Sequence, residues 1–252
     1  MRFLKHFYQG ITAYFKAIDF VFREKLWYFF IIPLALSLLL YFAGNALLDN
    51  LYHYDYGNPH TIRELIWDLI KMLLLQTLIF ISIELRKYIV LILLSPLISK
   101  LSLITEERLT GNTYKFSWER YWADIRRAMR IIFGNLVVQY GISLVWIALT
   151  LIFSELKPYT PGVLIAIGFY FYGFGMIDYI NERRRLNIDQ SVSFVRRHAG
   201  FAIGIGSVFS LLFLVPYEVG VTIAPVLAIV AATIGMHEIV DLGKNKFAIK
   251  QA

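Results

Sequence analysis

The stretch AGFAIGIGSVFSLLFLVPYEVGVTIAPVLAIVAATIGM, residues 199–236, carries a single charged side chain, Glu218. Two apolar arms, Ala199–Val215 and Val221–Met236, flank a short turn that begins at Pro216 and ends at Gly220. Runs this long and this poor in charge belong to lipid-embedded helices rather than to the half-polar elements of a soluble domain. Gly204 and Gly206 alternate with isoleucine inside the first arm. With no accompanying lysine-bearing phosphate loop, Gly204-x-Gly206 suits close helix packing better than cofactor binding.

A second pair of apolar segments lies just upstream, Ile131–Phe153 and Gly162–Ile177. Its turn, Pro158-Tyr159-Thr160-Pro161-Gly162-Val163, and the later one, Pro216 to Val221, both read P-Y-x-x-G-V. Gly175-Met176-Ile177-Asp178 is echoed by Gly235-Met236-His237-Glu238. Such an echo is either a structural repeat able to frame a site between halves or the ordinary use of Pro and Gly at tight turns. Arms of about 16 residues reach about 25 Å as helices, short of the roughly 30 Å hydrocarbon core. The expectation is two hairpins that enter from the cytoplasmic side and turn back, their polar tips sheltered by an oligomer or a water-filled cavity.

Toward the N-terminus, residues 1–25 read as an amphipathic helix. Phe3, Leu4, Phe7, Tyr8, Ile11, Tyr14, Phe15 and Ile18 recur at helical spacing opposite Arg2, Lys5, Gln9, Thr12 and Lys16. Such a helix lies in the headgroup plane or packs on the rest of the protein. The first apolar run begins near Leu26 with no small-residue cleavage site after it, so a retained span over 26–48 is expected. Pro33 should kink or restart that helix. Residues 61–109 keep a helical pattern long enough either to project beyond the membrane or to bend at Ser95-Pro96. Within it Glu84, Arg86 and Lys87 form an intramembrane charge cluster or mark the membrane edge, and Glu84 and Lys87 are spaced to neutralise one another. The chain thus reads as one membrane domain, 1–252. Its first hairpin spans 131–180, its second 199–240, and a basic tail occupies 241–252.

Composition agrees. Hydrophobic residues make up 58% of the chain and charged residues 17%, with a mean hydropathy of +0.60, against about half and a quarter in soluble domains. The absence of cysteine excludes disulfides, thiolate metal sites and cysteine nucleophiles. Of the three loops placed outside, 49–61 (DNLYHYDYGNPHT), 154–161 and 216–220, only the second holds a basic residue, Lys157. Most of the rest crowd the N-terminus, 100–130, 182–198 and the tail with Lys244, Lys246 and Lys250, which places both termini in the cytoplasm of a multi-pass inner-membrane protein.

No catalytic constellation is visible. His6, His53, His60, His198 and His237 are scattered without metal-ligand spacing, so no metal or cofactor is expected. An enzyme acting on lipid would need a polar cluster at the membrane edge, and none can be assembled. Basic residues flank apolar runs and form no stripe, which argues against nucleic acid. The net charge of +7 fits anionic headgroups or a small anion. Arg23, Lys25, Arg126, Arg127 and Arg130 are the anion-binding candidates, because forked guanidinium donors match a tetrahedral oxyanion; the positive-inside bias accounts for the same residues without a ligand.

Ser95-Pro96 followed by Glu106-Glu107-Arg108-Leu109-Thr110-Gly111 resembles the S/A-P…E-x-R-L-T-G signature of the CysZ sulfate permeases, grouped with the etoposide-induced 2.4 proteins. Gly10, Ile32-Pro33-Leu34, Asp124-x-x-Arg127, Asp178-Tyr179, Phe194-x-x-Arg197, Gly200-Phe201, Pro216 and Ala224-Pro225 match in the same order. The resemblance implies an all-α integral membrane protein with long transmembrane helices and two half-penetrating hairpins. It also implies homo-oligomers and sulfate uptake feeding cysteine synthesis. Pro96, Glu106, Arg108, Gly111 and Asp178 become structural positions on this reading, with Glu106 and Arg108 buried to hold helices around a path. The hairpin tips are Pro158, Gly162, Pro216 and Gly220. The chain departs from the family where a Gly-x-Arg-Arg motif associated with sulfate binding should precede the first span: Lys25, Leu26, Trp27 and Tyr28 stand there. A permease or channel for sulfate or a related oxyanion is therefore the first expectation. A non-transporting scaffold or membrane-shaping protein of the same family is the second.

Overall fold

Eight α-helices carry the fold among the described residues, which in this computed structural model are 2–52, 61–114, 118–213, 215, 217–244 and 249–250. The helices are α1 (Arg2–Arg23), α2 (Ile31–Tyr52), α3 (Ile62–Thr110), α4 (Trp118–Ile152), α5 (Thr160–Arg183), α6 (Ile188–Arg197), α7 (Ala199–Leu212) and α8 (Tyr217–Val240). Two-residue strands β1 (Asn112–Thr113) and β2 (Ile249–Lys250) pair antiparallel and fold the tail onto the end of α3. Residues 53–60, Pro216, Lys246 and the side chains of Glu84, Arg86, Lys87 and Asp124 lie outside the described residues.

Local chemistry sets the helix ends. Thr61 caps α3: its hydroxyl accepts from the Glu64 N–H at 3.3 Å, and the Glu64 carboxylate accepts from the Thr61 N–H at 3.2 Å. This capping box satisfies two otherwise orphaned N–H groups. At the far end Gly111 takes φ 71° and returns its N–H to the Glu107 carbonyl at 2.9 Å, a left-handed C-cap that a side chain would strain. Between these caps α3 runs 49 residues as one continuous helix with Pro96 inside it, a length of about 74 Å that exceeds one bilayer crossing. Pro33 restarts a helix rather than kinking one. A 3-10 turn over Leu26–Phe30 hands over to α2, and Pro33 falls in its first turn, where a missing N–H costs nothing.

Helix lengths depart from the apolar segments, because polar flanks continue the helices. α4 has 35 residues, and α5 and α8 have 24 each, so the latter two reach about 36 Å and exceed the hydrocarbon core. Among the described residues, three helical stretches are long and apolar enough to cross a membrane: Met129–Ile152, Ser154–Arg183 and Val219–Val240. Of the four hairpin arms, only α7 is short, its 14 residues covering about 21 Å.

α7 is the hub. One face carries Gly200 and Gly204, and a Cβ on Gly204 would come within 2.4 Å of the Phe7 carbonyl oxygen of α1. Two residues on, and about 200° around the helix, Gly206 meets the Phe169 carbonyl oxygen of α5, where a Cβ would sit at 1.7 Å. Small residues four apart on opposite faces let α1 and α5 approach α7 at backbone distance. Packing, not cofactor binding, explains Gly204-x-Gly206. Beneath them α8 touches α1, α2, α3, α5 and α7, and 83% of its apolar window is buried, against 11% for the α4 span. The second hairpin is thus core, whereas in the first α4 is peripheral and α5 packs on α7; Gly220 is buried against the Leu212 carbonyl while Gly162 is exposed.

α1 packs on the core through its narrow face, Gly10, Ala13, Tyr14, Ala17, Phe20 and Val21. Tyr14 donates to the Ile205 carbonyl at 2.8 Å, and Lys16 pairs with Glu238. The larger apolar row, Leu4, Tyr8, Phe15, Ile18 and Phe22, stays exposed. Helical spacing located the amphipathic helix, but of its eight apolar positions Tyr14 alone is buried.

Candidate functional site

Two buried ion pairs stand side by side where α3, α4, α5 and α6 converge. The Arg183 Nε donates to Glu106 Oε2 at 2.8 Å, and its Nη2 donates to the Ser102 hydroxyl at 2.8 Å. Tyr114 donates to the other Glu106 oxygen, and Ser102 lies 2.8 Å from the Thr233 hydroxyl of α8. Glu106 is fully buried, and the Arg183 side chain is 10% exposed. Each carboxylate oxygen thus receives a donor, which offsets the cost of burying the group.

One turn earlier on α5, Asp178 accepts from Arg127 twice, Nε at 3.2 Å and Nη2 at 2.9 Å, while Arg127 Nη1 donates to the Leu186 carbonyl. Ser191 of α6 donates to the same carboxylate at 2.6 Å and accepts from Asn181 at 3.0 Å. This fork ties α4 to α5 and to the connection between α5 and α6 in the planar two-bond geometry guanidinium favours. A cavity of about 40 Å³ opens beside it, with Asn135, Gln139, Asp178 and Glu182 among its walls. Its charged lining is acidic, balanced by the adjoining Arg127.

The sequence candidates therefore separate. Glu106 and Asp178 are buried, and Gly111 is the αL cap. Arg108 is exposed instead of buried, its guanidinium 3.7 Å from Glu24. The partner of Glu106 is Arg183, which sequence reading placed in a basic linker without a role. The available signal was that Arg183 is the first cation after the apolar run 162–177. Ser102, Tyr114, Asn181 and Ser191 carried no signal, being ordinary polar residues until the fold brings them to a charge. Arg23 is exposed between carboxylates, 3.6 Å from both Asp19 and Glu24. Arg127 has its donors committed to Asp178 and Leu186. Arg126 and Arg130 are exposed on α4, with Arg130 lining a groove toward α5 and α6. Pro96 stays within α3, and Pro158 lies in the exposed 3-10 turn Ser154–Tyr159.

A family model described as sulfate transporter CysZ/etoposide-induced protein 2.4 matches residues 13–234. The chain belongs to this family. Comparison with curated proteins found no match. The match places this protein in a transporter-type membrane family and agrees with its all-α, membrane-spanning architecture.

In this CysZ/etoposide-induced protein 2.4 family member, the site of the Gly-x-Arg-Arg departure has a definite geometry. Lys25 adopts φ 55°, ψ 34°, left-handed, at the junction between α1 and the 3-10 turn. This backbone state favours glycine, so Lys25 holds a conformation that is costly for a residue with a Cβ. Trp27 and Tyr28, which the resemblance sets against the motif's arginines, are 55% and 48% exposed and form part of an aromatic rim before α2. The E-x-R-L-T-G signature likewise resolves into roles. Glu106 holds Arg183. The Thr110 hydroxyl donates to the Glu106 carbonyl at 2.7 Å and accepts from the Asn112 N–H at 3.2 Å, and Gly111 turns the chain into β1. Beside it, burial raises the Glu107 carboxyl above its ordinary 4.5, against a lowering contact from the Tyr114 N–H.

Proposed function

We propose that this protein is a membrane permease or channel for sulfate or a related small oxyanion, working as a homo-oligomer in the inner membrane with both termini cytoplasmic. The observation that carries this reading is family membership across residues 13–234. Glu106–Arg183 and Arg127–Asp178 act as neutral struts, paired charges that keep the helices in register without presenting a fixed charge to the permeant ion. Anion attraction falls to exposed cations, Arg23 and Lys25 beside the first span and Arg126 on α4. Labelled sulfate uptake into proteoliposomes tests the reading. Uptake should exceed that of empty vesicles, fall in Arg23→Ala and Lys25→Ala, and rise when arginines replace Trp27 and Tyr28. A rate equal to empty vesicles removes it.

A second reading, a non-transporting scaffold or membrane-shaping protein, draws support from the exposed row Leu4, Tyr8, Phe15, Ile18 and Phe22, which suits a helix lying at the headgroup boundary. On this reading, uncharged polar substitutions along that row disturb function more than loss of Arg23 or Lys25. Equal tolerance of both sets counts against it.

A further inference from the structure

A groove of about 700 Å³ runs between α4 and α5 and is closed at one end by α6 and the start of α7. That volume falls in the usual range of ligand sites, roughly 300–1,000 Å³. Along α4 the wall is one straight row, Arg130, Gly134, Val138 and Ile142, four residues apart, which follows the helix for about 18 Å. Ile167 and Phe174 of α5 stand opposite, and Arg196 of α6 lies at the closed end. No carboxylate lines the groove, and neither arginine has an ion-pair or hydrogen-bond partner among the described residues. The row belongs to a stretch, Met129–Ile152, long and apolar enough to cross a membrane, with Arg130 at its basic end. Val138 and Ile142 are about half exposed, so the apolar length of the groove opens sideways to lipid.

We propose that this groove holds one anionic phospholipid from the surrounding leaflet. Its phosphate lies between Arg130 and Arg196, and one acyl chain follows Gly134, Val138 and Ile142. Charge complementarity selects the occupant: two cations without acidic partners sit at one end of an apolar trough, on the side where basic residues concentrate and anionic headgroups gather. A free oxyanion would satisfy the arginines and leave the trough bare, whereas a zwitterionic lipid would fill the trough and bring its own cation to the arginines. The trough is open beside Gly134, where a Cβ would meet nothing within 4 Å. The inference is independent of what the protein transports.

The test is thermal unfolding of delipidated protein in neutral detergent with added dioleoyl phosphatidylglycerol, dioleoyl phosphatidylcholine or inorganic phosphate. Phosphatidylglycerol should raise Tm by several degrees, phosphatidylcholine by less than half as much, and phosphate not at all. The double variant Arg130→Gln with Arg196→Gln changes two exposed side chains and should reduce the phosphatidylglycerol shift to the phosphatidylcholine level. Gly134→Trp should abolish both lipid shifts. Circular dichroism checks that its helices remain, and the arginine double variant decides the matter if they do not. A full shift from phosphate alone overturns the proposal in favour of a free-oxyanion site. A phosphatidylglycerol shift that survives the arginine changes overturns it too, as does a Gly134→Trp protein whose oligomeric mass falls, which would assign the groove to a second copy.

Discussion

The Cα of Gly206 faces the carbonyl oxygen of Phe169 so closely that a Cβ at position 206 would lie 1.7 Å from it. Gly173 stands in the same relation to the Ala202 carbonyl, at 1.8 Å. Both obstacles are helix backbone, which cannot rotate aside. Gly206→Ala and Gly173→Ala should each separate α5 from α7 and destabilise the protein by about 1–3 kcal/mol or more. Gly175→Ala, whose Cβ would meet nothing within 4 Å, should be neutral or stabilise by up to about 1 kcal/mol through helix propensity. Thermal unfolding in detergent of the three variants side by side separates close packing from a general intolerance of alanine.

Glu106 and Arg183, 77 residues apart, should behave as a unit. Glu106→Ala leaves a buried guanidinium without its counter-charge and should cost about 3–5 kcal/mol. Combining Glu106→Leu with Arg183→Met removes both charges and should recover most of that loss. A double-mutant cycle on denaturant unfolding checks this, and independent, additive effects would show the pair to be incidental.

Lys25 allows backbone and charge to be separated. Its left-handed conformation, φ 55°, is unfavourable for a residue with a Cβ by about 1–2 kcal/mol. Lys25→Gly should therefore raise stability by about 1 kcal/mol, whereas Lys25→Ala retains the strain. Both lose the cation. If sulfate uptake falls equally in the two while stability moves apart, the charge matters to transport and the turn to folding.

His6 supplies a pH dependence. Burial holds its imidazole below the ordinary 6.5, with His198, Arg2 and Lys5 adding to the effect, and its ring lies 5.1 Å from that of His198. A histidine depressed in the folded state binds fewer protons than in the unfolded chain, so stability rises with pH across the interval. The contribution is complete above 6.5 and is lost as pH falls from there through the lower folded value. Unfolding profiles of the wild type and His6→Gln should diverge over that interval, the variant being the flatter, and identical slopes would exclude His6 as the source.

The two ends of α3 are legible because they are local, whereas the polar flanks that lengthen α4 and α5 carry no hydropathy signal. Thr61 with Glu64 three residues on announces the start of α3, Gly111 its end, and the charge-poor runs their helices. Arg183 was not legible as the partner of Glu106, since nothing near either residue encodes a contact across 77 positions. The face that α1 buries was missed for a related reason. Side-chain size pointed to the aromatic row, but close approach to the glycines of α7 selects Gly10, Ala13 and Ala17.

What the sequence determined by itself is the class of molecule, an all-α membrane protein of the CysZ/etoposide-induced protein 2.4 family, because hydropathy, caps and short motifs act over a few residues. The tertiary structure decided which apolar helix is core and which is peripheral. The apolar stretches Met129–Ile152 of α4 and Val219–Val240 of α8 are both hydrophobic enough to span a membrane, yet one is peripheral and the other buried. Lipid tails are as apolar as a protein interior, so hydropathy gives both environments the same signal. Contacts with α1, α2, α3, α5 and α7 bury α8 and distinguish the two, and these exist only once distant segments meet.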